Sequence, residues 1–324
     1  MKVWITGIAG VLGSNLARKL KEKGYEVNGN DIVKPNEAWR LKDLEIDWLW
    51  KATEDLSLED IGKVDAIMDA GLAVPDRPMG TNSPKYSLIN NLMPPMSILE
   101  LVKRSKRKIW MIYPSSFNAL YGWIYKDNKI FSEDLTAFPT SVYGWTKGSA
   151  ENLYLTYHFT NYIPVTVIRT GSSFGDGGRL DELPHKLMAY GISNAKKFPL
   201  RSPNAKRLWG YVGDVLEFYD KLFERGAPDT YEILHVAGNR GDEIVDNVGL
   251  AKRIFAICGA TTEIERKEYE LGEEYNGKPI DFTQNAEFTR NSLDWKPKYT
   301  LNEGLERTVK WFKENEWYYR ALNV

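Results

Sequence analysis

A tyrosine and a lysine four residues apart have the chemistry of an acid–base pair. They are Tyr143 and Lys147, and residues four apart share one face of a helix. A phenol has a pKa near 10, about three units above neutrality, and a neighbouring ammonium lowers that pKa by favouring the phenolate. Such a pair could remove a hydroxyl proton while a hydride leaves the adjacent carbon. The same spacing also occurs by chance on many helices, so the pair needs support from the rest of the chain.

Glycines and an acidic residue near the start of the chain predict a dinucleotide site. Gly7, Gly10 and Gly13 lie between an apolar run and a helical pattern. In such a strand–turn–helix, backbone N–H groups approach a pyrophosphate at the helix N-terminus, which a side chain would block. Asp31 ends the next apolar stretch, near the spacing of an acid that binds an adenosine ribose. The alternative is a glycine-rich turn without a ligand, and Asp31 weighs against it.

Alternating strand-like and helical patterns must position these residues, and they predict an α/β fold with a Rossmann-type, doubly wound parallel sheet. After Thr170 the alternation weakens, so we expect a smaller C-terminal α/β lid. Residues 1–170 and 211–240 are assigned to a coenzyme domain, and residues 171–210 and 241–324 to a substrate domain. The predicted strands are Lys2–Thr6, Glu26–Asp31, Ala66–Ala70, Lys108–Tyr113, Val165–Thr170 and Ile233–Ala237, and the predicted helices are Leu12–Lys23, Ser87–Lys103, Val142–Tyr162, Val245–Cys258 and Leu301–Asn315.

Composition narrows the class of protein. The 324 residues are 43% hydrophobic with a net charge of −1, which favours a folded core and no nucleic-acid surface. The densest basic run, Lys103–Lys108, is interpreted as a solvated helix end. One cysteine, Cys258, and three scattered histidines predict no metal site and a reducing, cytoplasmic location. No apolar run reaches membrane-spanning length.

Together these motifs resemble the extended short-chain dehydrogenase/reductases, of the NAD-dependent nucleotide-sugar epimerase/dehydratase kind. The resemblance covers nearly the whole chain and includes the catalytic pair, the phosphate loop and the ribose acid. It implies NAD as cofactor, with Asp31 favouring NAD over NADP and Lys34 softening that preference. The further segments that carry it are Asp55-Leu56, Asp69-Ala70-Gly71, Pro84-Lys85-Tyr86 with Asn91, Arg207 to Asp214, and Leu293 to Leu305.

By this resemblance, NAD would contact the glycine loop, the ends of the following strands and the catalytic pair. Tyr143 would act as base, and Lys147 would tune it. The implied cofactor residues are Gly7, Gly10, Val11, Leu12, Gly13, Asp31, Asp55, Leu56, Ala70, Gly71, Asn91, Tyr143 and Lys147.

The third catalytic residue of the family, a Ser or Thr, has no direct match. Counting back from Tyr121-Gly122 reaches Phe117, which cannot donate a hydrogen bond. Counting from the end of the predicted strand favours Ser116 over Ser115. The alternative is that both serines only cap the strand and the site lacks a hydroxyl donor.

Cations in the second half suit a diphosphate substrate. Arg207 matches the family's arginine, and Lys278 stands where many members have a second one. Ser172 stands where many members hold the substrate with Asn. Arg179 is a further candidate. The alternatives are a surface ion pair for Arg207 and a simple loop charge for Arg179.

The reaction implied by the resemblance is 4-epimerisation of a nucleotide sugar. Phe117-Asn118-Ala119 lacks the acid of 4,6-dehydratases and the Glu of decarboxylases, and Cys258 is predicted to lie in a core helix rather than in a 3,5-epimerase pair. A net dehydrogenase, including an L-threonine dehydrogenase-like one, stays open because of Pro114-Ser115-Ser116-Phe117. A non-catalytic NAD-binding protein also stays open. The resemblance implies a homodimer through the helices Ser87–Lys103 and Val142–Tyr162.

Overall fold

The chain forms two compact units in the computed structural model, which describes residues 1–71, 84–116, 130–133, 139, 141–267 and 283–322. The first unit comprises Met1–Ile124, Glu133–Thr170 and Tyr219–His235, and the second comprises Tyr125–Ser132, Gly171–Phe218 and Val236–Val324. The assignment of coenzyme and substrate to separate domains stays a prediction.

Strands and helices are numbered in chain order. The strands are β1 (Lys2–Thr6), β2 (Glu26–Asp31), β3 (Trp48–Trp50), β4 (Ala66–Asp69), β5 (Trp110–Ser116), β6 (Ile130–Phe131), β7 (Val165–Thr170), β8 (Ser173–Phe174), β9 (Lys197–Leu200), β10 (Lys206–Leu208), β11 (Gly210–Tyr211), β12 (Tyr231–Val236), β13 (Ile244–Asp246), β14 (Glu263–Arg266) and β15 (Thr283–Gln284). The α-helices are α1 (Val11–Glu22), α2 (Leu58–Ile61), α3 (Pro84–Ser105), α4 (Val142–Asn161), α5 (Leu183–Ile192), α6 (Val212–Arg225), α7 (Asn247–Cys258), α8 (Glu287–Leu293), α9 (Leu301–Glu314) and α10 (Glu316–Tyr319).

The first unit is built on a seven-stranded sheet in the order β12-β7-β5-β4-β1-β2-β3. The pairings from β7 through to β3 are parallel. This order places the switch of direction between β1 and β4, where Rossmann folds bind dinucleotides at the carboxyl ends of the strands. The prediction of a Rossmann-type parallel sheet is therefore confirmed.

Strand β5 extends further than predicted. The prediction of Lys108–Tyr113 was wrong because the strand continues through Pro114 to Ser116. The backbone N–H of Met111 points to the β7 side, so the nitrogen of Pro114 points to the β4 side, where pairing has already ended at Ile112. A proline costs no ladder hydrogen bond there. Both serines therefore belong to the strand.

Helix α4 begins directly before the predicted acid–base pair. Ser141 caps it by accepting a hydrogen bond from Gly144 N at 3.0 Å, and it ends at Asn161, because the next residue, Tyr162, has a left-handed backbone that stops the helix. Tyr143 thus lies in the first turn and Lys147 in the next. The helix packs against α3 and the face of β5 and β7.

The second unit contains short two-stranded sheets and the helices from α5 to α10, except for the last part of α6. The helix predicted from Val245 begins at Asn247 instead, because Asp246 caps it through Gly249 N at 2.6 Å and Val245 belongs to β13. Among the described residues, no helix is long and apolar enough to cross a membrane.

Candidate active site

The loop after β1 has a backbone geometry that excludes side chains. Gly7 has φ +65°, and its carbonyl accepts a hydrogen bond from Gly10 N at 3.0 Å. A Cβ placed on Gly13 would lie 2.3 Å from the Gly7 oxygen, so only glycine fits in the first turn of α1. The first N–H groups of this helix, from Val11 and Leu12 onward, have no acceptor within the helix and are in position to bind an anion.

The loop after β4 contacts the glycine loop directly. Gly71 N donates to Thr6 Oγ1 at 3.0 Å, and a Cβ on Gly7 would lie 2.7 Å from the Gly71 Cα. Thr6 in turn donates to Asp69 at 2.7 Å. The ends of β1 and β4 are therefore fixed to each other, and Ala70 and Gly71 lie beside the loop as predicted residues for NAD.

Asp31 fixes the end of β2 to the same loop. Its carboxylate accepts hydrogen bonds from Ala9 N at 2.8 Å and Val33 N at 3.0 Å, and it is 7% exposed. Beside it, Trp50 is 59% exposed and its indole donates to Ile32 O at 3.1 Å. No sequence pattern marked this tryptophan, because β3 is only three residues long.

The other residues predicted to lie near adenine differ in exposure. Asp55 ends a short 3-10 turn and is exposed. Leu56 is 7% exposed and packs in the core of the first unit with Trp4 and Ile98. A role for Leu56 toward the coenzyme would therefore use its backbone, and both assignments stay predictions.

Lys147 is buried and points at the end of β5. It is 3% exposed, and its Nζ donates to the Pro114 carbonyl at 2.6 Å. That carbonyl points to the β4 side, beyond the last β4–β5 pair, so no strand competes for it. Burial lowers the pKa of Lys147 to about 8, while the charges of Asp69 and Glu151 raise it.

Helix α3 braces the first turn of α4. Asn91 donates from its amide to Thr146 Oγ1 at 3.1 Å, and Thr146 Oγ1 donates to the Tyr143 carbonyl at 2.8 Å. Asn91 is 1% exposed. It therefore acts on the backbone that carries Tyr143, and the contact with NAD assigned to it stays a prediction.

The two serines at the end of β5 differ in environment. Ser115 pairs with Arg169 and Ser116 with Thr170 in the ladder with β7. Ser115 is 5% exposed and its Oγ has no hydrogen-bond partner among the described residues, whereas Ser116 is partly exposed. Adjacent strand residues face opposite sides of a sheet. Ser115 therefore lies on the side of Tyr113, which packs against α4, and Ser116, the last residue of the strand, lies on the other.

Of the predicted substrate residues, three lie in the described part of the second unit. The backbone carbonyl of Ser172 accepts a hydrogen bond from Gly210 N at 2.9 Å. Arg179 forms an ion pair with Asp181 at 2.7 Å. Arg207 lies on β10 opposite Val245 and is partly buried. Lys278 lies outside the described residues.

Asp214, which completed the motif begun by Arg207, has a structural role. Its carboxylate accepts Lys298 N at 2.7 Å and Tyr299 N at 3.3 Å, and its carbonyl accepts the Trp295 indole at 3.1 Å. It therefore fastens the start of α6 to the segment before α9.

These features fit a bound dinucleotide. The glycine loop is a cradle that a Cβ would fill, and a helix N-terminus and a carboxylate lie at the carboxyl ends of β1 and β2. Within the described ranges, no group of three or more His, Cys, Asp or Glu side chains could hold a metal ion.

Comparison with known proteins identifies the family of the chain. The family model for the NAD dependent epimerase/dehydratase family matches residues 3–237, and the chain belongs to that family. Membership confirms the predicted family and the predicted cofactor, NAD.

The relatives are similar over nearly their full length. The chain is 26% identical to Protein CapI of Staphylococcus aureus, covering 97% of this chain and 99% of that one. It is 24% identical to a UDP-glucuronate 4-epimerase of Thermodesulfobacterium geofontis (99% and 98%) and to a dTDP-glucose 4,6-dehydratase of Escherichia coli (97% and 93%). The solved UDP-glucose 4-epimerase of Thermotoga maritima has the same fold, with a TM-score of 0.85 at 21% identity over 98% of this chain and 100% of that one.

Proposed function

We propose that the protein is an NAD-dependent nucleotide-sugar 4-epimerase that works through a transient 4-keto sugar. The observation that carries the proposal is Lys147, a buried ammonium fixed to the end of β5 and four residues from Tyr143 on one helix. Two of the similar proteins named above are 4-epimerases: one is similar to this chain in sequence and the other in fold.

Each residue has a defined task in this reaction. Tyr143 takes the proton of the sugar's C4 hydroxyl, and later returns it. Lys147, as an ammonium, favours the phenolate form of Tyr143. Ser116 donates a hydrogen bond to the same sugar oxygen as its charge develops. A bound NAD would supply a hydride acceptor for C4, and return of the hydride to the opposite face of that carbon would leave no net oxidation.

The binding residues are proposed from the same sequence matches. NAD is held by the glycine loop (Gly7, Gly10, Val11, Leu12, Gly13), by Asp31, Asp55 and Leu56, by Ala70 and Gly71, and by Asn91, Tyr143 and Lys147. Ser172, Arg179, Arg207 and Lys278 bind the nucleotide sugar, whose diphosphate suits cations. The residue ranges 1–170 with 211–240 and 171–210 with 241–324 serve the coenzyme and the substrate respectively.

Dehydration is the alternative that one relative supports, because a dTDP-glucose 4,6-dehydratase matches 97% of the chain. Elimination of water needs an acid beside the catalytic hydroxyl residue. The sequence there is Phe117-Asn118-Ala119, which supplies no acid. This favours epimerisation.

An assay of a substrate panel tests the proposal. The protein with NAD is incubated with UDP-, GDP-, dTDP- and ADP-sugars, and sugar products and reduced NAD are measured separately. We expect interconversion of C4 epimers without accumulation of reduced NAD. Loss of water would indicate a dehydratase, accumulation of reduced NAD a dehydrogenase, and NAD binding without turnover a non-catalytic protein; each of these overturns the proposal.

We also propose that the protein is a cytoplasmic homodimer through α3 and α4. Tyr86, Ile89, Met93 and Met96 are 42–47% exposed and recur at helical spacing on one face of α3. Trp145 on α4 is 47% exposed as well. A two-fold contact buries the same patch on both copies, so sedimentation should show a dimer and Met93→Glu a monomer. A monomeric parent would contradict this.

A further inference from the structure

Two stacked tyrosines lie beneath the catalytic lysine. The rings of Tyr113 on β5 and Tyr154 on α4 have centroids 4.8 Å apart. The Nζ of Lys147 lies 4.5 Å from the Tyr113 centroid, and the Tyr154 hydroxyl donates to Asp69 Oδ2 at 2.6 Å. All four side chains are at most 3% exposed. A carboxylate and an ammonium therefore each contact one member of the same buried pair.

Two hydroxyl donors favour the charged form of Asp69. Burial raises the pKa of its carboxyl, and the hydrogen bonds from Tyr154 and Thr6 oppose that rise. The Thr6 oxygen also accepts Gly71 N, so the Thr6 hydroxyl hydrogen is directed at Asp69. Hydrogen bonds given to a carboxylate favour its ionised form.

Glu151 is the other negative charge that raises the pKa of Lys147. Glu151 forms a buried ion pair with Arg169 at 2.9 Å, so its negative charge is shared with a guanidinium. Asp69 has hydroxyl partners and no ion pair among the described residues. Within the described ranges, the titratable or charged groups around Lys147 and its neighbours are Asp69 on β4, Tyr113 on β5, Arg169 on β7, Tyr231 on β12, and Tyr143, Glu151 and Tyr154 on α4, with Glu54 acting on Asp69 as a like charge.

We propose that Tyr154 is a positioning residue of the active site: its hydroxyl holds Asp69 ionised, and ionised Asp69 is the counter-charge that keeps Lys147 an ammonium for Tyr143. The proposal rests on the proposed roles of Tyr143 and Lys147. Removing the Tyr154 hydroxyl weakens the negative charge of Asp69, so Lys147 loses its proton more readily. Tyr143 then ionises at higher pH.

The test is a titration of Tyr143, which does not depend on turnover. The phenolate is followed by ultraviolet absorbance as the difference between each protein and its Tyr143→Phe counterpart, with NAD present and absent. Tyr154→Phe should move the ionisation of Tyr143 to higher pH by up to about one pH unit, the value of a whole hydrogen bond to a charged group. The rising limb of the kcat profile should move in the same direction.

Tyr157→Phe is the matched control. Tyr157 is on the same helix and also donates to a carboxylate, that of Glu100 on α3, which is not among the charges acting on Lys147. This variant should leave the Tyr143 titration unchanged. A shift as large as that of Tyr154→Phe would assign the effect to loosening of α4 and overturn the proposal.

Two further variants separate the possible failures. Asp69→Asn removes the charge with little change of shape, and should shift the Tyr143 titration further than Tyr154→Phe does. It also tests the role of Asp69 on its own if Tyr154→Phe does not fold. If Lys147→Ala moves the titration while Asp69→Asn and Tyr154→Phe do not, the role of Tyr154 is wrong and the Tyr143–Lys147 pair stands. If Lys147→Ala moves nothing either, the pair itself is wrong.

Discussion

Two lysines of the first unit, one near the start of α4 and one near the end of α3, lie at opposite ends of the sheet, and their side chains differ in burial. Lys147, near the start of α4, is 3% exposed and donates to the Pro114 carbonyl. Lys103, near the end of α3, has a side chain that is 48% exposed and pairs with Glu100 on its own helix at 3.2 Å. A buried charge depends on fixed partners, whereas an exposed pair contributes little.

The exposed end contains the densest basic run of the chain. Lys106 and Lys108 are exposed, and Arg107 donates to the carbonyls of Gly62 and Val64. The side of the run that includes Lys106, Arg107 and Lys108 lines an open groove of about 610 Å³. The one arginine that lines the groove, Arg107, uses its guanidinium for these backbone carbonyls. Burial with fixed partners therefore distinguishes the lysine proposed for catalysis, and charge density along the sequence does not.

The largest effect should follow from removing the proposed base at the buried end. Tyr143→Phe keeps the ring but removes the proton acceptor, so kcat should fall by about 10²–10⁴-fold. Calorimetry should show that NAD still binds, because Lys147 and the glycine loop remain. Activity equal to that of the parent would show that the reaction does not use this tyrosine.

The next effect concerns the buried ion pair behind Lys147. Arg169→Met leaves the Glu151 carboxylate buried without its cation, so denaturant unfolding should show a loss of about 3–5 kcal/mol. Adding Glu151→Leu should recover much of that loss, since a buried pair is replaceable by apolar packing. A single variant as stable as the parent would mean that water reaches this pair.

The serines at the end of β5 should differ by a smaller amount. Ser116→Ala should weaken transition-state stabilisation by about 1–3 kcal/mol, as for loss of one donor to a developing oxyanion. Ser115→Ala should leave kcat nearly unchanged and cost little stability, since its buried Oγ has no partner among the described residues. The reverse ranking in kcat would place Ser115 in the site.

The smallest effect should come from the exposed end. The double variant Lys106→Ala/Lys108→Ala should change the free energy of unfolding by less than about 0.5 kcal/mol. It should leave kcat and the affinity for NAD unchanged, because neither side-chain ammonium has a hydrogen-bond or ion-pair partner in the described part of the chain. A tenfold weaker affinity for NAD would remove the contrast between the two ends.

The sequence predicted the sheet and its glycine loop because local patterns determine both. The apolar runs of β1, β2 and β7 and the glycine spacing are signals within a few residues. The predicted end of β5 was wrong because a proline is typical of the end of a strand. Pro114 is tolerated within β5 because β4 has stopped pairing with it at Ile112, which the sequence does not show. Strand β3 was missed because it is three residues long.

For the candidate site, residue types were predictable and partners were not. Lys147 was identified from its spacing to Tyr143. Its hydrogen bond to the Pro114 carbonyl depends on the register of β4, β5 and β7, which no local pattern predicts. Tyr154 had no motif to mark it, since its hydrogen bond to Asp69 joins residues 85 positions apart. Tyr154 lies seven residues after Lys147 and eleven after Tyr143 on α4, which places the three side chains on one face of the helix. That spacing was the one available hint.

The most direct test of a transient 4-keto sugar is the fate of deuterium at C4 of the nucleotide sugar that the protein converts. If hydride leaves C4 and returns to the same carbon, both epimers should keep the label at C4, and no deuterium should enter from heavy water. Loss of the label to solvent, its transfer to C6, or its accumulation in free reduced NAD would contradict 4-epimerisation.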